Sequence, residues 1–192
     1  MLYFLGYGRG RKIPAKFELP PGKVLVLVDD PYEKVSWPPA RDLLAEHTAR
    51  ELLRHKGADK VIANRALLRL RQSDPDFERR SAQSVGRKTG ADTVLLLQIR
   101  DFLAPKRLED TESAARLSVT VRVLDASEAA ATVRLWPAHG DGHLESVEMP
   151  ATRAFSLKSQ EAIARALTAA LGRNVARLFY KHTYGDVEDD EF

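Results

Sequence analysis

The sequence predicts an α/β fold: a mixed parallel and antiparallel sheet of about five or six strands, with packed helices and a long C-terminal helix. Three observations carry this. The run Lys23-Val24-Leu25-Val26-Leu27-Val28 is continuously apolar, as strands buried on both faces are. A short helical segment starting after Ser81 stops at Gly90 and feeds at once into Thr93 to Ile99, a second buried run. From Arg116 to Val123 polar and apolar residues then alternate, the pattern of a strand with one wet face.

The elements between these anchors follow in order. Residues 1–22 read as a flexible basic arm, dispensable for folding, with Pro20-Pro21-Gly22 before the first strand. After Asp29-Asp30-Pro31 comes a loop to Pro39 that contains Tyr32, Val35 and Trp37. Ala40 to Lys56 is helical, with Leu44, Thr48 and Leu52 in one stripe flanked by Ala45, Ala49 and Leu53, and Gly57 ends it. Lys60 to Ala63 is a short strand, so this β-α-β unit predicts a parallel pair with a right-handed crossover.

A helix over Arg65 to Gln72 and the interruption Ser73 to Phe77 lead to the second helix, with Ser81 as N-cap and Gly90 as left-handed C-terminal residue. The following strand extends to about Leu103, and residues 104–113 form a polar loop. Val133 to Trp136 and His143 to Met149 are further strands of an antiparallel meander. Leu157 to about His182 reads as one long helix, with Ile163, Leu167, Leu171, Val175 and Leu178 buried. The single domain then spans residues 23–183, and the acidic tail 184–192 reads as disordered.

Composition narrows the chemistry. The chain has 192 residues, 44% hydrophobic and 30% charged, with a net charge of +3 that does not point to nucleic acid. Charge is concentrated at the ends, with net +4 over residues 1–23 and −5 over 186–192. The absence of cysteine removes disulfides, thiolate nucleophiles and cysteine-based zinc sites. No apolar run is long enough to span a bilayer.

His139 and His143, with Asp141 between them, have three metal-ligand types, but Gly140 and Gly142 make the segment a turn, and it reads as a hydrophilic hairpin tip. His47 and His55 lie two helical turns apart, whereas a ligand pair needs one. Asp29 and Asp30 stand where open α/β sheets bind ligands, beyond the carboxyl end of a strand, although Asp-Asp-Pro also makes an ordinary turn. The arginines around Ser73 to Phe77 are interspersed with Asp74, Asp76 and Glu78, the pattern of a salt-bridged surface. No serine lies in a nucleophile motif, so no catalytic residue, metal or cofactor is predicted.

The segment Val85-Gly86-Arg87-Lys88-Thr89-Gly90-Ala91-Asp92-Thr93-Val94-Leu95 resembles the G-x-x-x-G-A-D-x-V-L turn of a bacterial envelope family that includes the TolB amino-terminal domain, CsgG and LpoB. Val24 to Val28, and Leu52-Leu53 followed by Asp59 to Ile62, are similar to that family's first strand and its helix-to-strand passage. The resemblance implies a non-catalytic envelope or periplasmic protein, lipoprotein-like, that acts through protein–protein contacts. Family lipoproteins are acylated at an N-terminal cysteine and this chain has none, which implies either an anchor upstream of Met1 or a member without one.

The expected contact residues are Asp30, Tyr32 and Trp37, on a proline-stiffened loop; alternatively, Trp37 folds back over the sheet edge. The basic arm is the candidate for membrane-surface association. Two other readings remain at this stage: a nucleotide- or metal-dependent enzyme using Asp29 and Asp30, and a nucleic-acid-binding module using the arm.

Overall fold

A computed structural model describes residues 12–104, 115–127, 133–157 and 159–183. The strands are β1 (Lys12–Ile13), β2 (Lys23–Asp29), β3 (Lys60–Val61), β4 (Thr93–Leu103), β5 (Ala115–Asp125), β6 (Arg134–Trp136), β7 (His143–Met149) and β8 (His182–Thr183). The helices are α1 (Pro39–Arg54), α2 (Asn64–Ser73), α3 (Ala82–Thr89), α4 (Ala151–Leu157) and α5 (Gln160–Arg177). The α/β class and the mixed sheet are as the sequence predicts.

Six strands form the main sheet in the order β3-β2-β4-β5-β6, and β7 also pairs with β5. β2 is parallel to both β3 and β4, so the first crossover is the β-α-β unit expected. From β4 onwards every pairing is antiparallel. One face of the sheet packs on α1 and α5 through Val24, Val26, Leu95, Leu97, Val119 and Val121. On the other face Leu25, Leu27, Val94 and Leu96 pack on Leu67 of α2, Val85 of α3 and Phe77 between them. Alternation along β2 and β4 therefore supplies two cores, and both strands are apolar on every side.

The turn from α3 into β4 is built as its residue types require. The Ser81 hydroxyl accepts a hydrogen bond from the Ser84 amide at 3.2 Å, and Gly90 takes the left-handed conformation at φ 76°. Gly86 lets α3 lie directly on the sheet: a Cβ there would stand 2.4 Å from Val94 Cγ2 and 3.0 Å from Ala126 Cβ.

Three expectations are corrected. β5 has no wet face over its middle, because Ser118 and Thr120 are buried, the latter with Gly142 packed against it. The long C-terminal helix is present as α5, but it starts after Leu157 and ends before His182. Ser159 caps α5, its hydroxyl accepting from the Ala162 amide at 3.1 Å, and α5 ends at Arg177 with Leu178 to Tyr180 continuing as buried non-helical chain.

The third correction concerns the arm. Residues 12–22 are docked: β1 pairs with β8, and the amides of Lys16 and Phe17 both donate to the Leu178 carbonyl. Phe17 and Leu19 pack against the main core, and the Phe17 ring stacks on Trp136 at 6.1 Å. Residues 1–11, most of the expected loop at 104–113 and the acidic tail 184–192 lie outside the described residues.

Two measurements check this. Gly86→Ala gains about 1 kcal/mol of helix propensity but meets two rigid neighbours, and overpacking costs about 1–3 kcal/mol, so a net loss of stability by denaturant melt is expected. Deleting residues 1–20 is expected to lower the melting temperature by several degrees, with Phe17→Ala alone costing about 1–2 kcal/mol. A melt unchanged by both truncation and substitution would mean that the arm contributes nothing to folding.

Candidate functional site

The carboxyl ends of β2 and β4 are the place where chemistry-bearing side chains converge. The two strands run side by side, with Asp29 opposite Gln98. From β2 the chain turns outward through α1 to β3, whereas from β4 it turns the other way into β5. At Asp29 the β2 ladder ends, whereas β4 runs on to Leu103 against β5; the space beyond the carboxyl end of a parallel strand is where open α/β sheets bind ligands.

Here the Gln98 side-chain amide donates to Asp29 Oδ2 at 3.4 Å, and its carbonyl accepts from Arg122 Nη2 at 3.0 Å. Arg122 Nε donates to the Asp141 carbonyl at 2.7 Å, so the chain of polar contacts spans three strands and ends in the turn before β7. Beyond it opens a cavity of about 570 Å³, with Arg41, Arg71, Arg80 and Arg122 in its walls along with Asp29, Asp30, Glu33 and Glu78.

The arginines differ in what already holds them. Arg80 is tied to Asp74 through two contacts, Nε to Oδ2 at 2.5 Å and Nη2 to Oδ1 at 3.0 Å, and Lys88 joins the same carboxylate at 3.0 Å. The hydrogen bond from Arg80 is the main cause that holds the Asp74 carboxyl well below the usual carboxylate range. Arg71 lies over the Phe77 ring at 4.9 Å and stands 3.8 Å from Glu78, and its Nε is buried without a hydrogen-bond acceptor among the described residues. The expected salt-bridged surface is therefore present around Asp74, and the longer Arg71–Glu78 pair lies in the cavity wall.

On the loop, the Asp30 carboxylate accepts the Lys34 and Val35 amides, both at 2.9 Å, and the Glu33 amide donates to the Asp30 carbonyl. This is the turn-forming use of Asp-Asp-Pro. Tyr32 projects from the fixed turn with 61% of its surface exposed. Trp37 behaves as the alternative had it: it packs against the core, with the Arg165 guanidinium 5.4 Å over its ring. Ser36 accepts from the Gln160 side chain at 2.7 Å, which fastens the loop's far end to α5. Asp30, Tyr32 and Trp37 are therefore brought together on one loop, in three different environments.

The histidines form no such centre. His139 is exposed, whereas His143 Nε2 lies 2.9 Å from Glu145 Oε1 and 3.0 Å from Lys16 Nζ, beside Trp136. Among the described residues no group of three or more His, Cys, Asp or Glu side chains is arranged to hold a metal ion. His47 is partly buried where α1 crosses α5, and burial, followed by the nearby Arg50 charge, lowers its pKa. His55 sits at the end of α1, its ring stacked on Tyr180 at 4.6 Å. Arg41, Gln98 and Arg122 were not singled out by the sequence, although Arg122 belongs to the polar series of β5.

No protein-family model and no curated protein matches the sequence. Among solved structures, the chain is similar to a PelC dodecamer subunit from Paraburkholderia phytofirmans, at 15% identity and a TM-score of 0.46 over 90% of this chain and 99% of that one. It is also similar to the lipoprotein GNA1162 from Neisseria meningitidis, at 16% identity and a TM-score of 0.45 over 69% and 84% of the two chains. No helix among the described residues is long and apolar enough to cross a membrane.

The Asp74 cluster makes a pH prediction. A carboxyl with a depressed folded-state pKa stabilises the fold above its unfolded value, and that contribution is lost as pH falls towards the folded value. Asp74→Asn is therefore expected to be less stable than the parent at neutral pH, with the difference shrinking below about pH 4. Parallel denaturant melts across acid pH measure it, and a difference independent of pH would remove the charge contribution.

Proposed function

We propose that this protein is a non-catalytic interaction or scaffolding protein of the bacterial cell envelope, acting through protein–protein contacts centred on Tyr32. The observation that carries the contact surface is an exposed aromatic ring on a backbone that is already fixed. Asp30 locks the turn with two amide hydrogen bonds, while Trp37 and Ser36 anchor its far end to the core and to α5. A rigid loop loses little conformational entropy when a partner covers it, and tyrosine is enriched among residues that dominate interface energies. In this reading Asp30 and Trp37 position Tyr32 and do not themselves bear on the partner. The envelope assignment rests on the resemblance of Val85 to Leu95 to the TolB, CsgG and LpoB turn.

Site-specific photocrosslinking in the native host tests this. A benzoyl-phenylalanine at position 32 is expected to give discrete protein adducts that the same group at Leu144, 63% exposed on β7, does not give. Tyr32→Ala is expected to change stability by less than about 0.5 kcal/mol while reducing recovery of the crosslinked partner. Identical adducts from both positions would sink the contact surface, and recovery of the protein from the cytosolic fraction alone would sink the envelope assignment.

A further inference from the structure

We propose that the cavity at the carboxyl end of β2 is a binding site for a small organic molecule carrying a phosphate group, a role distinct from the Tyr32 surface, whose loop lends Asp30 and Glu33 to the cavity wall. The first argument is free hydrogen-bonding capacity. The cavity wall has four carboxylates and four guanidiniums, so net charge does not decide what it binds. What each group already does is decisive. Asp30 has both oxygens on backbone amides, and Asp29 accepts from Gln98. Glu33 is exposed, and Glu78, 84% exposed, stands 3.8 Å from Arg71 Nε, beyond hydrogen-bond reach.

The guanidiniums are less committed. Arg71 has a buried Nε without a hydrogen-bond acceptor among the described residues, and its guanidinium lies over the Phe77 ring at 4.9 Å. Arg122 uses Nε and Nη2 on Asp141 and Gln98, which orients the group and leaves Nη1 without an acceptor among the described residues. The Arg41 side chain has no hydrogen-bond or ion-pair partner among the described residues, and α1 is fixed by its core packing. Unspent donor capacity therefore faces the cavity from three guanidiniums. Planar guanidiniums bind carboxylate and phosphate oxygens bidentately, and several around one space favour the dianion. A cation would instead compete with the N–H donors already on both Asp30 oxygens and on Asp29 Oδ2.

Size and place agree. About 570 Å³ exceeds what inorganic phosphate fills and falls within the range of small-molecule sites. Leu27, Val85 and Leu96 give the cavity an apolar floor for the organic part. The location, beyond the carboxyl end of the parallel strand β2, is one that open α/β sheets favour for ligands.

The test uses the full chain and titration calorimetry with adenosine monophosphate, ribose 5-phosphate and inorganic phosphate, with adenosine and ribose as uncharged controls. At least one of the two phosphate esters is expected to bind saturably and more tightly than inorganic phosphate, with no binding by its parent alcohol. Which ester binds separates a nucleotide from a sugar phosphate. Arg41→Gln and Arg71→Gln are each expected to weaken binding by about tenfold or more. Arg41→Gln removes no side-chain hydrogen bond or ion pair among the described residues, so it keeps the test meaningful if Arg71→Gln misfolds. Arg50→Gln and Arg65→Gln, in the groove between α1 and β3, serve as controls expected to leave binding unchanged. Absence of saturable binding of either ester, or binding undiminished in Arg41→Gln, would overturn the assignment.

Discussion

The rest of the fold depends on one residue's hydrogen bonds at the end of the sheet opposite the cavity. Asp92 binds the start of β2 twice: its carboxylate accepts the Lys23 amide at 2.7 Å, and its own amide donates to the Lys23 carbonyl at 2.8 Å. Its carbonyl accepts from the Ala126 amide at 2.9 Å, which ties in the end of β5. Gly22, at φ 127°, makes room for that carboxylate, since a Cβ there would lie 2.6 Å from Oδ2. Three strands and the exit from α3 therefore meet at a single position. Losing the carboxylate would leave a backbone donor at the mouth of the central parallel pair unsatisfied.

This knot sets the register that the cavity needs. Pairing begins at Val24 with Thr93 and runs without a shift to Asp29 with Gln98. A one-residue slip would exchange the two cores, moving Leu25 and Leu27 to the α1 and α5 side. It would also separate Asp29 from Gln98, and with that bridge lost Arg122 would no longer be oriented from β4. The segment from Gly86 to Asp92 is thus a structural device, whose close helix packing and tight turn fix the geometry of the cavity at the opposite end of β2.

What was legible in the sequence follows from how local each feature is. The buried strands β2 and β4, the Ser81 cap and the left-handed Gly90 are specified by residues within a few positions of one another. The docked arm is not, although its signal was present: Ile13, Ala15, Phe17 and Leu19 alternate with exposed residues, and only Trp136 and Leu178, more than a hundred positions away, show what that alternation packs against. Ser118 and Thr120 were read as wet because small hydroxyl residues suit either environment. The approach of Gly142 decided which one they occupy. The break before α5 was carried by Ser159, whose capping role is masked by helical periodicity on both sides. At the candidate site, Asp29 and Asp30 were legible from position alone, whereas Arg41, Gln98 and Arg122 come from three separate elements and converge only through the sheet.

The two neighbouring acids show how the end of a strand divides labour. Asp29 is the last β2 residue paired with β4, so its side chain is held beside Gln98 and enters the polar wall of the cavity. Asp30 lies one residue past the ladder, where no pairing constrains it, and its carboxylate turns back to collect the Lys34 and Val35 amides. One therefore shapes a concave polar site on the α2 and α3 side. The other shapes a convex aromatic loop fastened to α5. The Asp-Asp-Pro sequence reads as a single turn signal, yet the end of strand pairing between its two acids makes it the boundary between two surfaces with different chemistry.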